Sequence, residues 1–224
     1  MEVDVQELLE IVKPGETVIV EYNTSYVPEF ALKLLADYTR EKEIPFLVDD
    51  NFDCLYTILV HSRMLGLNVD ITHAHILKTG GKKEVGGKIQ RVIFHPDPRV
   101  LLRNYNKVFS NTVEKFDKSA VNIALGMESL LYFVRDVRDF YRFLLGIQRY
   151  VGDKRRKAFY MLHTELMRSL PPYVWLELRR IATSVWTFHS YPTGVKLSIL
   201  RSPDLDLIGR GFTIDVGGVF RGRS

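Results

Sequence analysis

The chain has 224 residues, of which 46% are hydrophobic and 12% aromatic, enough for the core of one large domain and too many for a disordered chain. Its net charge of +4 and pI near 9.1 are too mildly basic to identify a nucleic-acid or membrane partner. The single cysteine, Cys54, excludes an internal disulfide and a multi-thiolate metal site. Without a secretory signal or an apolar run of about 18 residues, the sequence predicts a cytoplasmic protein with no membrane span.

Strands and helices alternate in the first third of the chain. The predicted elements are a helix at 2–12, a strand at 17–22, a helix ending near 43, a strand at 44–48 and a helix at 54–65. The strands are apolar throughout instead of alternating with polar residues. Such strands are typical of a parallel sheet that is covered by helices on both faces, so the sequence predicts an α/β fold.

Residues 69–95 interrupt this alternation with two strands, at 69–77 and 88–94, that flank the segment Gly80–Gly87. We interpret this region as a basic β-hairpin insertion. Four glycines in the eight-residue segment predict a mobile loop, because glycine raises the entropy cost of ordering a backbone. Residues 76–107 contain eight basic and two acidic side chains, which makes Lys82, Lys83 and Lys88 candidate contacts to a nucleic acid.

The second half of the chain returns to the earlier pattern. The predicted elements are a helix at 98–115, a strand at 120–125, a helix at 129–150, a strand at 157–162, helices at 164–170 and 174–183, and strands at 184–189, 195–200 and 212–216. No repeat, low-complexity tract or linker divides the sequence. We therefore predict a single domain over residues 1–224.

The predicted helix at 129–150 is apolar on more than one face. One apolar stripe, which includes Leu130 and Val134, suits packing on the sheet. A second set, which includes Phe133, Phe140 and Phe143, widens the apolar surface beyond what one packing face needs. These three rings are candidate interface residues, and they predict a homo-oligomer or a protein partner.

The loop after the first strand determines whether the chain can bind a nucleotide. In a phosphate-binding strand–loop–helix this loop reads G-x-x-x-x-G-K-[ST], with glycines around the phosphates, a lysine to neutralise them and a hydroxyl for the metal. Here Glu21 and Tyr26 stand at the glycine positions, Val27 at the lysine and Pro28 at the hydroxyl. We expect no nucleotide, no cofactor and no ATP hydrolysis. An ordinary loop of an unrelated α/β protein and nucleotide binding by another route are the alternatives.

Three segments resemble one known family: KPGETVIVEY…FALKLL, IPFLVDDNFDCLYTILVHSRMLGLNV and LRRIATSVWTFHSYPTGVKLSILRSP…GFTIDVGGVF. They are similar to the first two strand–helix pairs and the closing strands of RecA/KaiC-like P-loop NTPases, and more closely to uncharacterised proteins of hyperthermophilic archaea. The resemblance implies a three-layer sandwich with a mostly parallel central sheet and antiparallel C-terminal strands. It places Asp50 and Asp53 near the family's water-activating glutamate, and Arg201 where the family directs a basic side chain towards a neighbouring subunit's phosphate.

Three functions remain open from the sequence. The first is a non-catalytic domain, with the ATP chemistry lost, that binds a protein or peptide or assembles with itself. The second is a nucleic-acid-associated protein that uses the basic segment 76–107. The third is an enzyme centred on Asp49, Asp50 and Asp53. No metal site is expected, because His73 and His75 lack further ligands at suitable spacing.

Overall fold

The computed structural model describes residues 5–23, 26–191 and 194–214. The strands are β1 (Thr17–Tyr22), β2 (Phe46–Asn51), β3 (His75–Thr79), β4 (Lys88–Val92), β5 (Ala120–Leu125), β6 (Arg156–His163), β7 (Ser184–Tyr191), β8 (Gly194–Arg201) and β9 (Gly211–Ile214). The helices are α1 (Val5–Ile11), α2 (Val27–Glu41), α3 (Cys54–Met64), α4 (Pro98–Val113), α5 (Met127–Leu131), α6 (Val137–Gln148), α7 (Thr164–Arg168) and α8 (Pro172–Ile181). None of the helices in these ranges is long and apolar enough to cross a membrane.

The nine strands form one sheet in the order β4-β3-β2-β5-β6-β1-β7-β8-β9. The pairs from β4 to β7 are parallel, whereas β7 with β8 and β8 with β9 are antiparallel. The predicted α/β fold, with a mostly parallel central sheet and antiparallel C-terminal strands, is confirmed. The closing strand was predicted at 212–216. Residues 215 and 216 of that prediction lie outside the described part of the chain.

Two apolar cores cover the two faces of the sheet. Helices α1, α2 and α3 pack on one face, hereafter the α2 face, which includes Val18, Val20 and Tyr22 of β1. Helices α4, α5, α6 and α8 pack on the other, hereafter the α8 face, which includes Ile19. Because both faces are covered, the central strands are mostly apolar and do not alternate with exposed polar residues. The carboxyl ends of the parallel strands meet at one edge of the sheet, where α/β proteins usually bind their ligands.

The predicted hairpin at 69–95 is wrong. Strands β3 and β4 run parallel, with His75 opposite Lys88 and Thr79 opposite Val92, so the segment between them returns along the sheet before β4 begins. Val85 packs in the core of the α2 face during this return. Two strands with a short glycine-rich connection suggest a hairpin, but eight extended residues reach about 26 Å, which exceeds the length of a five-residue strand and allows a parallel return.

The helix predicted at 129–150 is two helices, α5 and α6, separated by residues 132–136. Asp136 begins α6, because its side chain accepts a hydrogen bond of 2.8 Å from the backbone N–H of Asp139. The break restarts the helical phase. The apolar face of α6 that packs on the sheet therefore consists of Phe140, Phe143 and Leu144. The prediction of one continuous helix had assigned Phe140 and Phe143 to an interface instead.

Candidate functional site at the carboxyl edge of the sheet

Glu21, at the position of the first glycine in the phosphate-binding pattern, is buried on the α8 face and is already paired. The Arg179 guanidinium donates to both carboxylate oxygens, from Nε to Oε1 and from Nη2 to Oε2, each at 2.5 Å. The indole Nε1 of Trp175 donates to Oε1 at 2.5 Å, and Arg179 lies over the Trp175 ring at 4.8 Å. A carboxylate with its own cation thus occupies this position, and α8 leaves no free positive charge beside Glu21 for a phosphate.

The residues at the other three positions of that pattern also serve the fold. Tyr26 precedes α2 with a φ of 73°, without a side-chain hydrogen bond to the helix. Val27, at the lysine position of the phosphate-binding pattern, is buried in the core of the α2 face and presents no ammonium group. Pro28 lies in the first turn of α2 and has no N–H to donate. The start of this helix therefore lacks the lysine and one of the backbone donors that a phosphate loop would offer to an anion.

Asp50, near the end of β2, accepts a hydrogen bond from the first turn of α3 and neutralises a buried lysine. Its Oδ1 accepts from the backbone N–H of Leu55 at 2.9 Å, and its Oδ2 accepts from Lys78 Nζ at 2.7 Å. The side chains of Asp50 and Lys78 are each 1% exposed. Both oxygens of Asp50 are therefore used inside the fold.

Asp53 anchors the crossover between β3 and β4. Lys78 Nζ also donates to Asp53 Oδ1 at 2.6 Å, and the backbone N–H groups of Lys82 and Lys83 donate to its two oxygens at 2.8 and 2.9 Å. Partial burial opposes ionisation of Asp53, but the hydrogen bonds from Lys78, Lys82 and Lys83 outweigh it and lower the pKa of this carboxyl. The prediction of a mobile loop did not include these contacts.

Asp49 points to the opposite face of the sheet from Asp50. Its carboxylate accepts from the Tyr105 hydroxyl and from Asn122 Nδ2, each at 3.1 Å, and Arg156 donates to Asn122 and Tyr160 beyond it. Burial raises the pKa of Asp49, although Arg156 and the two hydrogen bonds oppose the rise. Asp49 thus has partners of its own, whereas Asp50 and Asp53 share Lys78, and the structure does not join all three carboxylates into one centre.

The candidate basic residues are not brought together either. Lys82 and Lys83 lie near the carboxyl edge through Asp53, whereas Lys88 begins β4 at the opposite end of the sheet. Arg201 Nη1 donates to the carbonyl oxygens of Arg179 and Arg180 at 3.1 and 3.0 Å, so it binds the end of α8. This separation gives no continuous track for a nucleic-acid backbone.

The three candidate interface rings have different environments. Phe140 and Phe143 are 0% and 5% exposed within their own chain, so they are not available to a partner. Phe133 is 44% exposed and stacks on Phe52 with 5.4 Å between ring centroids.

The sequence analysis missed a cluster of polar side chains around Tyr22 on the α2 face. The Tyr22 and His163 rings meet edge to face at 5.1 Å, and the backbone N–H of His163 donates to Glu128 Oε1 at 2.5 Å. Burial is the main cause of the raised pKa of Tyr22, and the charges of Glu128, Cys54 and Glu29 add to it. Burial, with the same two glutamates and Asp50, raises the pKa of Cys54 to about 12. These groups therefore share one poorly solvated region.

Two polar atoms of this cluster have no hydrogen-bond partner among the described residues. They are Glu29 Oε2 and His163 Nδ1, both of them buried. Glu29 Oε1, by contrast, lies 3.0 Å from His61 Nδ1. A signal was present in the sequence: Glu29 and Glu128 lie in the first turns of helices that follow parallel strands, so both must reach the same edge of the sheet.

An apolar groove of about 140 Å³ lies on the same face, between α2 and the antiparallel pair β7 and β8. Its lining includes Val20, Val27, Leu34, Trp186, Phe188 and Leu197. Tyr22 is the cross-strand neighbour of Phe188 on one side and of His163 on the other. The groove and the cluster around Tyr22 are therefore adjacent on this face, through Phe188.

Two solved structures from Pyrococcus horikoshii share the fold of this chain. The PH0250 protein of strain OT3 has a TM-score of 0.77 at 20% sequence identity, over 95% of this chain and 98% of its own. The uncharacterized protein PH0321, solved in complex with an unknown peptide, has a TM-score of 0.59 at 14% identity, over 84% of this chain and 85% of its own.

No curated protein matches the sequence. A family model does match, over residues 7–213, which is nearly the whole chain. The match agrees with the resemblance to uncharacterised hyperthermophilic archaeal proteins. The chain belongs to the family described as "Pyrococcus protein of unknown function, DUF257".

Proposed function

We propose that this chain is a non-catalytic peptide- or protein-binding module, built on a RecA/KaiC-like scaffold that has lost its nucleotide site. Three features support the scaffold: a central parallel first strand, the loop that leads from it into α2, and the antiparallel closing strands. The pairing of Glu21 with Arg179 supports the loss of the nucleotide. A carboxylate and its cation stand where a phosphate would need to bind.

The apolar groove between α2 and the strands β7 and β8 is the observation on which peptide binding rests. Leu34, Phe188 and Val195 are only partly buried there, so a concave apolar surface remains open. Lys33 and Asp37, which also border the groove, pair with each other at 2.7 Å. Grooves of this kind accept the apolar side chains of a peptide. The peptide found with PH0321, a protein of the same fold, is consistent with this use.

A displayed library of random twelve-residue peptides, selected against the full chain, tests the groove. We expect enrichment of peptides rich in Leu, Ile, Phe and Met, and binding of a synthetic enriched peptide measurable by fluorescence anisotropy. Leu34→Glu places a charge in the groove and should abolish this binding. Leu176→Glu, at a 64% exposed leucine of α8 on the other face, is the matched control and should leave it unchanged. No enrichment, or equal binding by both variants, would refute the proposal.

Calorimetry with Mg-ATP tests the lost nucleotide site. We expect no binding, because the neutralising lysine and the backbone donors are absent together. The pair of substitutions Val27→Lys and Pro28→Thr should not restore it, since the loop still lacks both glycines. A micromolar dissociation constant for the unmodified chain would overturn this part of the proposal.

A further inference from the structure

We propose that the cluster around Tyr22 binds a primary ammonium group of the peptide in the groove, either a lysine side chain or the peptide's amino terminus. The inference rests on the proposed function, because the groove supplies the rest of the peptide site. The proposed site prefers a cation, whereas the resembled P-loop NTPases bind an anionic phosphate in the corresponding region.

Glu29 provides the first half of the evidence. Its side chain is about 5% exposed, and Oε2 is buried without a hydrogen-bond partner in the described residues. His61, itself half exposed, contacts only the other oxygen. A buried carboxylate oxygen without a donor is destabilising, so the site is incomplete until a donor arrives.

Glu128 provides the second half, from a different helix. It is 4% exposed, and one of its oxygens accepts the His163 N–H. Glu29 lies in the first turn of the helix that follows β1, and Glu128 contacts His163 of the adjacent strand β6, so both carboxylates lie at the carboxyl ends of neighbouring strands. Both charges also act on Tyr22 and on Cys54. Nδ1 of His163, whose ring contacts Tyr22, is a further buried polar atom without a partner in the described residues.

An ammonium group fits these acceptors better than the alternatives. It has three N–H donors and one positive charge, whereas two carboxylates would repel a phosphate. Among the described residues, no group of three or more His, Cys, Asp or Glu side chains is placed to hold a metal ion. Asp50 is the third acid whose charge raises the pKa of Cys54, and Lys78 neutralises it. In contrast, no Lys or Arg within the described ranges pairs with Glu29 or Glu128.

The position relative to the groove determines which peptides should bind. Tyr22 lies beside Phe188, which lines the groove, so apolar peptide side chains in the groove would place the next residue near the two glutamates. The Tyr22 ring can also attract a cation through its face. We therefore expect a lysine, or the amino terminus itself, at a fixed distance from the apolar residues.

The peptide selected in the library experiment gives the probe. Three derivatives separate the sources of the ammonium: one with an acetylated amino terminus, one with lysine replaced by uncharged norleucine, and one with both changes. One of the two ammonium groups, the lysine side chain or the amino terminus, should bind at the cluster. We expect the derivative without that group to bind with about a tenfold or greater loss of affinity. In the variant Glu29→Gln/Glu128→Gln, all derivatives should bind alike through the groove.

The control Glu84→Gln/Glu165→Gln removes two exposed carboxylates elsewhere and should keep the discrimination. Equal affinity of all derivatives for the unmodified chain would overturn the inference, and this comparison requires no mutant to fold. Full discrimination in Glu29→Gln/Glu128→Gln would also overturn it. Because Leu34→Glu should abolish binding of every derivative, failure of the groove remains distinguishable from failure of the charge preference.

Discussion

Replacing Lys78 with methionine tests whether Asp50 and Asp53 serve the fold. Lys78 and Asp50 are both almost fully buried, so the substitution leaves the Asp50 charge inside the protein without its cation. Asp53 is 25% exposed and can turn to solvent, so most of the loss arises at Asp50. Removing one partner of a buried ion pair costs about 3–5 kcal/mol, and we expect a loss in this range.

A second substitution identifies the cause of that loss. Asp50→Asn removes the charge but keeps an oxygen that can accept the 2.9 Å hydrogen bond from the Leu55 N–H. The double variant Lys78→Met/Asp50→Asn should therefore lie within about 1–2 kcal/mol of the unmodified chain. Lys83→Met, at an exposed lysine of the crossover, is the control and should change stability by about 0.5 kcal/mol or less.

Guanidinium chloride unfolding, followed by tryptophan fluorescence, measures all four chains. The midpoint of Lys78→Met should fall clearly, and that of the double variant should return towards the original value. If Lys78→Met unfolds within about 1 kcal/mol of the unmodified chain, the buried pair does not have the structural role assigned to it. A double variant as unstable as Lys78→Met would show that the unpaired charge of Asp50 is not the cause.

Two further predictions concern the site and the crossover. Burial raises the pKa of Glu128, so its charged form costs stability in the folded chain. Glu128→Gln should therefore raise the free energy of unfolding at pH 7, and this gain should disappear as the pH falls to about 4. Thermal unfolding at both pH values checks this. Gly81→Ala should lose about 1–3 kcal/mol and speed amide exchange in the crossover, because φ is +71° and the new Cβ would lie 2.2 Å from Asp53 Oδ1. Gly86→Ala, which meets no atom within 4 Å, should be tolerated.

Elements bounded by local signals were predictable from the sequence. Strand β5 was predicted at its observed limits, and β1 likewise, because each is a mainly apolar run between polar or turn-forming residues. Helix α4 begins at Pro98, as its proline and the preceding aspartate indicate. In each case the determining residues lie within a few positions of the element.

The direction of β4 and the break before α6 were not predictable in the same way. A strand pair with a glycine-rich connection fits both a hairpin and a short parallel crossover, and the contacts of Asp53 and Val85 with the crossover decide between them. The break at 132–136 contains no proline or glycine, so the helical pattern reads through it. The N-cap at Asp136 is visible only once the break is known.

The partners of the candidate site residues are distant in sequence. Glu21 was correctly placed at the end of the first strand, yet its cation, Arg179, is 158 positions away. Lys78, which neutralises Asp50, is 28 positions from it and was noted only as part of a basic segment. A single sequence predicts which residues reach the carboxyl edge, but it does not indicate which charges are already paired there.

That distribution of paired charges gives the two faces of the edge different chemistry. On the α8 face, Glu21 is neutralised by Arg179, and nothing further is needed there. On the α2 face, Glu29 and Glu128 are buried as deeply, but no Lys or Arg in the described part of the chain neutralises them. If this edge had only to fill the place of a former anion site, an ion pair for the acids on the α2 face, like that of Glu21 with Arg179, would have cost less stability. Two buried acids without a cation, at the end of an open apolar groove, are instead the arrangement expected where a ligand supplies the missing positive charge.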